Sequence, residues 1–193
     1  MTQRVDWNEG RWTTPPVGVT ADGDDLVVTA AEGSDAWRVT SYGFVHDDEH
    51  ALLAPLPAGT AVEVEFDVTM SEQFDQAGLF LRVSSECWTK AGIEYVDGVL
   101  NLGAVVTDGR SDWSSGPVPE WAGRRATVRA SRSGDAVTVR ARVDDEPFRM
   151  VRLFPLDPQL ALAAGPYLCA PTRAGLTVRF RRWELTDPDS SLH

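Results

Sequence analysis

Between Phe74 and Trp113 the chain places Gln76, Arg82, Trp88, Lys90, Glu94, Asp112 and Trp113, a set of fixed donors, acceptors and flat aromatic plates. On an extended strand, side chains two apart share a face. Trp88, Lys90, Gly92 and Glu94 therefore point one way from the segment 87–95, and Cys87, Thr89, Ala91, Ile93 and Tyr95 point the other. The segment before it offers Gln76, Phe80 and Arg82 on one face. A face that mixes Gln, Arg, Trp, Lys and Glu with a glycine is neither a core nor an ordinary solvated surface. Gly92 leaves room between Lys90 and Glu94, or lets another backbone come close. Small-ligand sites are composed in this way, from an apolar plate beside a few polar groups. Lys90 is also singled out by its type, as the one lysine among 18 basic residues. At that position a compact point charge replaces the planar guanidinium fork. The partner expected from spacing is Glu94, four residues on and on the same face. The same residues, with Arg82, would alternatively form a polar network that fixes strand register.

The elements that must hold these residues are strands. Val62, Val64, Phe66 and Val68 alternate with Glu63, Glu65, Asp67 and Thr69, and the same period recurs in 126–131, 137–143 and 176–181. This is the pattern of half-buried strands. Further strands are expected at 26–30, 37–40, 76–84, 87–95, 99–107, 150–154 and 160–165. Turn signals such as Asp97-Gly98 and Asp108-Gly109 separate them at short intervals. No window carries a helical stripe. The Pro/Ser/Gly-rich stretch Trp113–Gly123 reads as a loop. The fold class is all-β, one sandwich or barrel domain over residues 1–187, followed by a frayed polar tail at 188–193.

Composition excludes several functions. The net charge is −11 with 29 acidic residues, which argues against phosphate-backbone binding and so against a nucleic-acid partner. No apolar run reaches the roughly 20 residues that span a bilayer, and the first residues lack a signal-peptide core, so a cytoplasmic protein without a membrane partner is expected. Two cysteines make no disulfide scaffold. The charge is unevenly placed: residues 1–123 carry 6 basic and 21 acidic residues, and residues 124–193 carry 12 basic and 8 acidic. Outward Glu63, Glu65 and Asp67 are expected to face outward Arg129, Arg140, Arg142, Arg179 and Arg181 across one sheet, each pair contributing about 0.2–1 kcal/mol.

The motifs Asp75-Gln76-Ala77-Gly78-Leu79, the run Trp88 to Gly98 and Ser111-Asp112-Trp113, with Asp35-Ala36-Trp37-Arg38 and Tyr42-Gly43-Phe44 upstream, resemble a bacterial and fungal family of domains of unknown function that includes the fungal regulator-of-enolase protein. The resemblance covers roughly Trp7 to Trp183, with local departures at Cys87 and Ala104. It implies a two-sheet antiparallel jelly-roll sandwich of concanavalin A-like lectin/glucanase type, and no established activity. It also brings Trp37, Arg38 and Tyr42 into the candidate set.

Glucanases of this superfamily use a Glu-x-Asp-x-x-Glu strand. Here Glu65 and Asp67 match, but Met70 stands where the second catalytic Glu would be. Glu94 paired with Asp75, Asp97 or Asp112 is another carboxylate set that spacing alone cannot join. The acidic loops at 22–25, 47–50 and 144–146 lack calcium-loop spacing, and His46 with His50 gives weak support for zinc. Cys87 and Cys169 read as reduced thiols. No catalytic residue, metal or cofactor is assigned. The expected ligand-binding residues are Trp37, Arg38, Tyr42, Gln76, Arg82, Trp88, Lys90, Glu94, Asp112 and Trp113. The expected partner is a small polar ligand of carbohydrate type, with a glycan-active enzyme and a regulator of a metabolic enzyme, through a protein partner, as alternatives.

Overall fold

Period-two alternation becomes strand wherever it occurs in the computed structural model, which describes residues 2–192. In chain order the strands are β1 (Gln3–Arg4), β2 (Arg11–Trp12), β3 (Gly18–Asp22), β4 (Asp25–Thr29), β5 (Ala36–Arg38), β6 (Val45–Asp47), β7 (His50–Pro55), β8 (Ala61–Asp67), β9 (Gln76–Arg82), β10 (Cys87–Val96), β11 (Val99–Asp108), β12 (Arg110–Pro117), β13 (Arg125–Ser133), β14 (Ala136–Val143), β15 (Arg149–Pro155), β16 (Ala163–Cys169) and β17 (Thr177–Thr186). They form two antiparallel sheets. The first runs β15-β14-β13-β8-β17-β4-β3, with β1 also on β17, and the second runs β12-β11-β10-β9-β16-β7-β2. β5 and β6 form a separate hairpin. The all-β jelly-roll sandwich is the observed architecture.

The inner faces meet in one core. Val62, Val64 and Phe66 of β8 and Val137, Val139 and Ala141 of β14 face Leu79 and Leu81 of β9 and Ala91 and Ile93 of β10. Each large aliphatic sealed there contributes about 1.5–3 kcal/mol. The outer face of the first sheet carries the charge ladder. Glu63 pairs in register with Arg129, and their side chains meet at 2.6 Å. Asp67 takes Arg181 at 2.7 Å and Glu65 takes Arg182 at 3.2 Å. The acidic loop at 22–25 serves the same ladder, with Asp22 and Asp25 on Arg179. Asp189 bridges Arg129 and Arg140, at 2.9 and 3.0 Å, and Arg140 also holds the Leu192 carbonyl. The tail expected to fray is thus tethered onto the sheet, because the ladder has arginines to spare.

Three local expectations are corrected. Residues 113–117, read as loop, belong to edge strand β12, which alternates little because it is exposed along most of its length. The strand expected at 160–165 lies instead at Ala163–Cys169. Pro166, which argues against a central strand, is accommodated because the ladder between β16 and β7 skips Gly165 and Pro166. Strand β7 was not anticipated, since its first residue His50 is a fully buried polar group: Nε2 accepts from the Ala31 N–H at 2.9 Å and Nδ1–H donates to the Thr14 carbonyl at 3.0 Å.

Candidate functional site

The outer face of the second sheet is covered, not bare. A second apolar cluster there contains Phe80, Trp88, Val105, Tyr167 and Cys169 together with Ala36 of the β5–β6 hairpin. The hairpin thus lies across the sheet. Between hairpin and sheet opens a cleft of about 330 Å³, walled by Trp37, Tyr42, Phe44 and His46 on the hairpin side and by Phe74 and Trp113 elsewhere, with Asp35, Lys90 and Glu94 among its polar groups.

Lys90 is placed by glycines. Gly92 lies opposite Gly78 on one side and Gly103 on the other, so a glycine lane crosses β9, β10 and β11. A Cβ on Gly92 would come within 2.8 Å of the Gly78 Cα, so neither position tolerates a side chain without backbone movement. Gln76 sits opposite Glu94, four residues from Lys90 in strand terms, or about 13 Å. The Lys90 and Gln76 side chains close that gap over the bare lane, with Nζ donating to Gln76 Oε1 at 2.7 Å. Nζ also meets Asp35 Oδ1 at 2.9 Å. Asp35 Oδ1 further accepts from the Ala36 N–H at 2.7 Å and from Gln76 Nε2 at 3.2 Å. The lysine's ion-pair partner is therefore Asp35, 55 residues away, and the expected pairing with Glu94 is corrected: Nζ is committed to Asp35 and to Gln76, and acts on Glu94 only through its charge.

Electrostatics separate the two carboxyls. Burial works to raise the Asp35 pKa, but the Lys90 charge and hydrogen bond outweigh it, and the carboxyl is held below its ordinary value. For Glu94 burial prevails, opposed by Lys90 and reinforced by Asp35, and its pKa is pushed up to about 7. Lys90 is raised in turn: burial lowers it, but Asp35 above all, together with Cys169 and Glu94, more than compensates. One carboxylate is thus fixed in a salt bridge and the other is poised near neutrality, an arrangement typical of functional sites.

The aromatic wall is held under strain. Val39, Ser41 and Phe74 all have positive φ, each 65°, and Val39 is β-branched, for which this region is a true outlier. The Thr40 N–H bonds the Arg38 carbonyl and the Tyr42 N–H bonds the Thr40 carbonyl, giving two successive γ-turns of the strained hand. Such residues cost about 1–3 kcal/mol each and cluster at ligand clamps. They aim Tyr42 and Phe44, whose rings stack at 5.2 Å, and Trp37 abuts Tyr42 edge-on at 5.7 Å. Trp37 is anchored by its indole N–H on the Thr40 carbonyl at 2.9 Å.

Of the ten expected residues, Trp37, Tyr42, Lys90, Glu94 and Trp113 line this cleft, and Gln76 supports it from beneath. Four do not belong. Trp88 is 5% exposed and stacks on Phe80 at 5.4 Å as core, so it offers no plate. Arg38 follows Trp37 and points the other way, to Glu86 at 2.7 Å. Asp112 precedes Trp113 and likewise points away, to Arg152 at 2.9 Å. Arg82 lies at the far end of the sheet face, near Glu49 at 3.6 Å. Asp35, Phe44, His46 and Phe74 were missed. Asp75, one of the carboxylates considered with Glu94, is fully buried against Arg173 instead. Among the described residues no group of three or more His, Cys, Asp or Glu is placed to hold a metal ion, and both cysteines are free. No helix among them is long and apolar enough to cross a membrane.

The two-sheet antiparallel sandwich beneath this cleft is a concanavalin A-like fold. Part of the xylan β-1,4-xylosidase of Bacillus halodurans C-125 shares it, with a TM-score of 0.67 at 12% identity over 86% of this chain and 33% of the enzyme; that likeness shows the fold alone. The chain belongs to the family described as protein of unknown function DUF1349, which matches residues 12–188. It is 31% identical over 187 residues to Regulation of enolase protein 1 of Saccharomyces cerevisiae, spanning 97% of this chain and 94% of that one. A solved Saccharomyces cerevisiae protein of unknown function superposes with a TM-score of 0.89 at 31% identity, over 96% of this chain and all of the other.

Proposed function

We propose that the cleft beneath the β5–β6 hairpin binds a small polar ligand of the carbohydrate class. The observation that carries this reading is the meeting of strained aromatic plates with polar atoms left unused by the protein. The Glu94 carboxyl makes no hydrogen bond or ion pair to any described residue, although it is half-buried and faces the cleft. Sugar rings present C–H faces that suit aromatic plates and hydroxyls that suit an open carboxyl. Titration of xylose, glucose and their β-1,4-linked disaccharides, followed by ligand-observed NMR and thermal shift, tests the reading. Saturation at 100-fold Kd stabilises a protein by about 2.7 kcal/mol, and Trp113→Ala, which removes a plate that is 42% exposed, should abolish the shift without unfolding the protein. Absence of binding by every sugar at tens of millimolar overturns it.

A second reading follows from the exposed rim. Tyr42, Phe44 and Val45 are 62%, 43% and 46% exposed, enough apolar surface for a protein contact, and the yeast relative is named for regulation of enolase. In that reading the hairpin tip docks on an enzyme. Calorimetry with purified enolase and a Tyr42→Ser/Phe44→Ser variant decides it: equal heats for both proteins, or none for either, count against a rim contact.

A further inference from the structure

The charges facing the cleft do not balance. Two carboxyls, Asp35 and Glu94, meet one ammonium, Lys90. The ammonium is committed to Asp35 Oδ1 and Gln76 Oε1. His46 on the hairpin lies 3.7 Å from Asp48 and so faces a carboxylate of its own. On the neighbouring strands Glu94 lies between Gln76 and Asn101, and Asn101 donates its Nδ2–H to the Val99 carbonyl. From β16, Tyr167 and Cys169 share the face, and burial holds both in their neutral forms. Glu94 is thus left as a half-buried carboxyl that feels the Lys90 charge but makes no hydrogen bond or ion pair with any described residue. An unpaired buried charge is costly, and it is relieved by taking up a proton or by recruiting a cation. The surroundings favour a cation. The aromatic faces of Trp37, Tyr42, Phe44 and Trp113 attract positive charge, and the acidic first two-thirds of the chain would draw it in.

Building on the carbohydrate reading of the cleft, we infer that its ligand is a polyhydroxylated ring bearing a protonated amine, of the amino-sugar type, whose ammonium sits on Glu94 while its C–H face lies against the hairpin aromatics. A neutral sugar would fill the same space but leave the carboxyl uncompensated. An N-acylated sugar would be treated as neutral.

The test compares glucosamine, glucose and N-acetylglucosamine by calorimetry at pH 7 and pH 5. Glucosamine should bind at least tenfold more tightly than the other two at pH 7. With the Glu94 pKa at about 7, the ionised fraction falls from about one half at pH 7 to about one hundredth at pH 5, so glucosamine affinity should drop by up to about fiftyfold while glucose is little affected. Glu94→Gln, which keeps the shape and removes the charge, should erase the preference, so that glucosamine and glucose bind the variant equally. Equal binding of glucose and glucosamine at pH 7, or a preference that survives in Glu94→Gln, overturns the amine inference and leaves the sugar cleft standing. Failure of all three ligands to bind overturns the cleft reading and the inference with it.

Discussion

Replacing Lys90 with Met removes the charge and keeps the length of the stem. The Lys90 and Asp35 side chains are 6% and 20% exposed, so the pair is screened little by solvent. Removing one partner of such a pair costs about 3–5 kcal/mol, because the other is left charged and unpaired. Asp35 keeps the Ala36 N–H and Gln76 Nε2, which favours the lower end, about 3 kcal/mol. For a chain of this length each kcal/mol lowers Tm by about 2–4 °C, so a fall of about 6–12 °C is expected. The pH dependence has a definite sign. In the wild type the Asp35 pKa is net lowered although burial acts to raise it. Its contribution is therefore present above the ordinary carboxylate range and lost as pH falls through its folded value. In Lys90→Met burial acts without that opposition, Asp35 takes up a proton at higher pH, and the deficit should shrink between pH 7 and pH 4.5. Urea unfolding of the wild type, Lys90→Met and Lys90→Met/Asp35→Asn at both pH values measures this, and the double variant should recover at least 1 kcal/mol. A cost under about 1 kcal/mol at pH 7, or one that does not change with pH, refutes the reasoning.

Three further outcomes follow from the same structure. Glu94 holds its proton to about pH 7 against an ordinary 4.5, so the wild type loses stability as pH rises through that window, and Glu94→Gln should unfold like wild type at pH 5 but be more stable by about 1–3 kcal/mol at pH 8 in urea. Gly92→Ala forces a Cβ against the Gly78 backbone and should cost about 1–3 kcal/mol or more; a change below 0.5 kcal/mol on the same scale would mean that the lane is not tightly approached. Arg129→Gln strips Glu63 and Asp189 of a guanidinium whose side chain is 10% exposed; it should cost about 3 kcal/mol and make residues 187–192 susceptible to carboxypeptidase, while an unchanged digestion profile would show that the tail is held by other contacts.

The fold was legible where burial is one-sided. β8, β13, β14 and β17 alternate because one face of each meets the core and the other meets water, and the outward charges then predict their neighbours: the Glu63–Arg129 pair is a consequence of register. Legibility failed where an element has no such asymmetry. Edge strand β12 is wet along most of its length, β7 begins with a buried histidine, and β16 carries a proline that composition treats as a boundary.

The site divides along the same line, and the division has a physical cause. Alternation states which side chains share a face, so it brought Lys90, Glu94 and Gln76 together and assigned Gly92 a role. It does not state what covers that face. The cover is the hairpin of residues 36–47, and the side chains that complete the site, Asp35, Phe44 and His46, arrive with it. Trp88 was misjudged for this reason: a tryptophan on an outward face is a plate if the face is open and core if it is roofed, and here it is roofed. The pairing of Lys90 with Glu94 failed for a different reason. Four residues make neighbours on a helix, but on a strand they span about 13 Å, a gap that Lys90 closes toward Gln76 and not toward Glu94. The lysine takes its carboxylate from another segment, and the acid near Trp37 in Asp35-Ala36-Trp37-Arg38 was the available signal. Once Asp35 takes Lys90, Glu94 is released from structural duty. The residue spacing had made it a register-fixing partner; the structure makes it the carboxyl left over, and hence the group whose binding of a proton or a cation distinguishes an empty cleft from an occupied one.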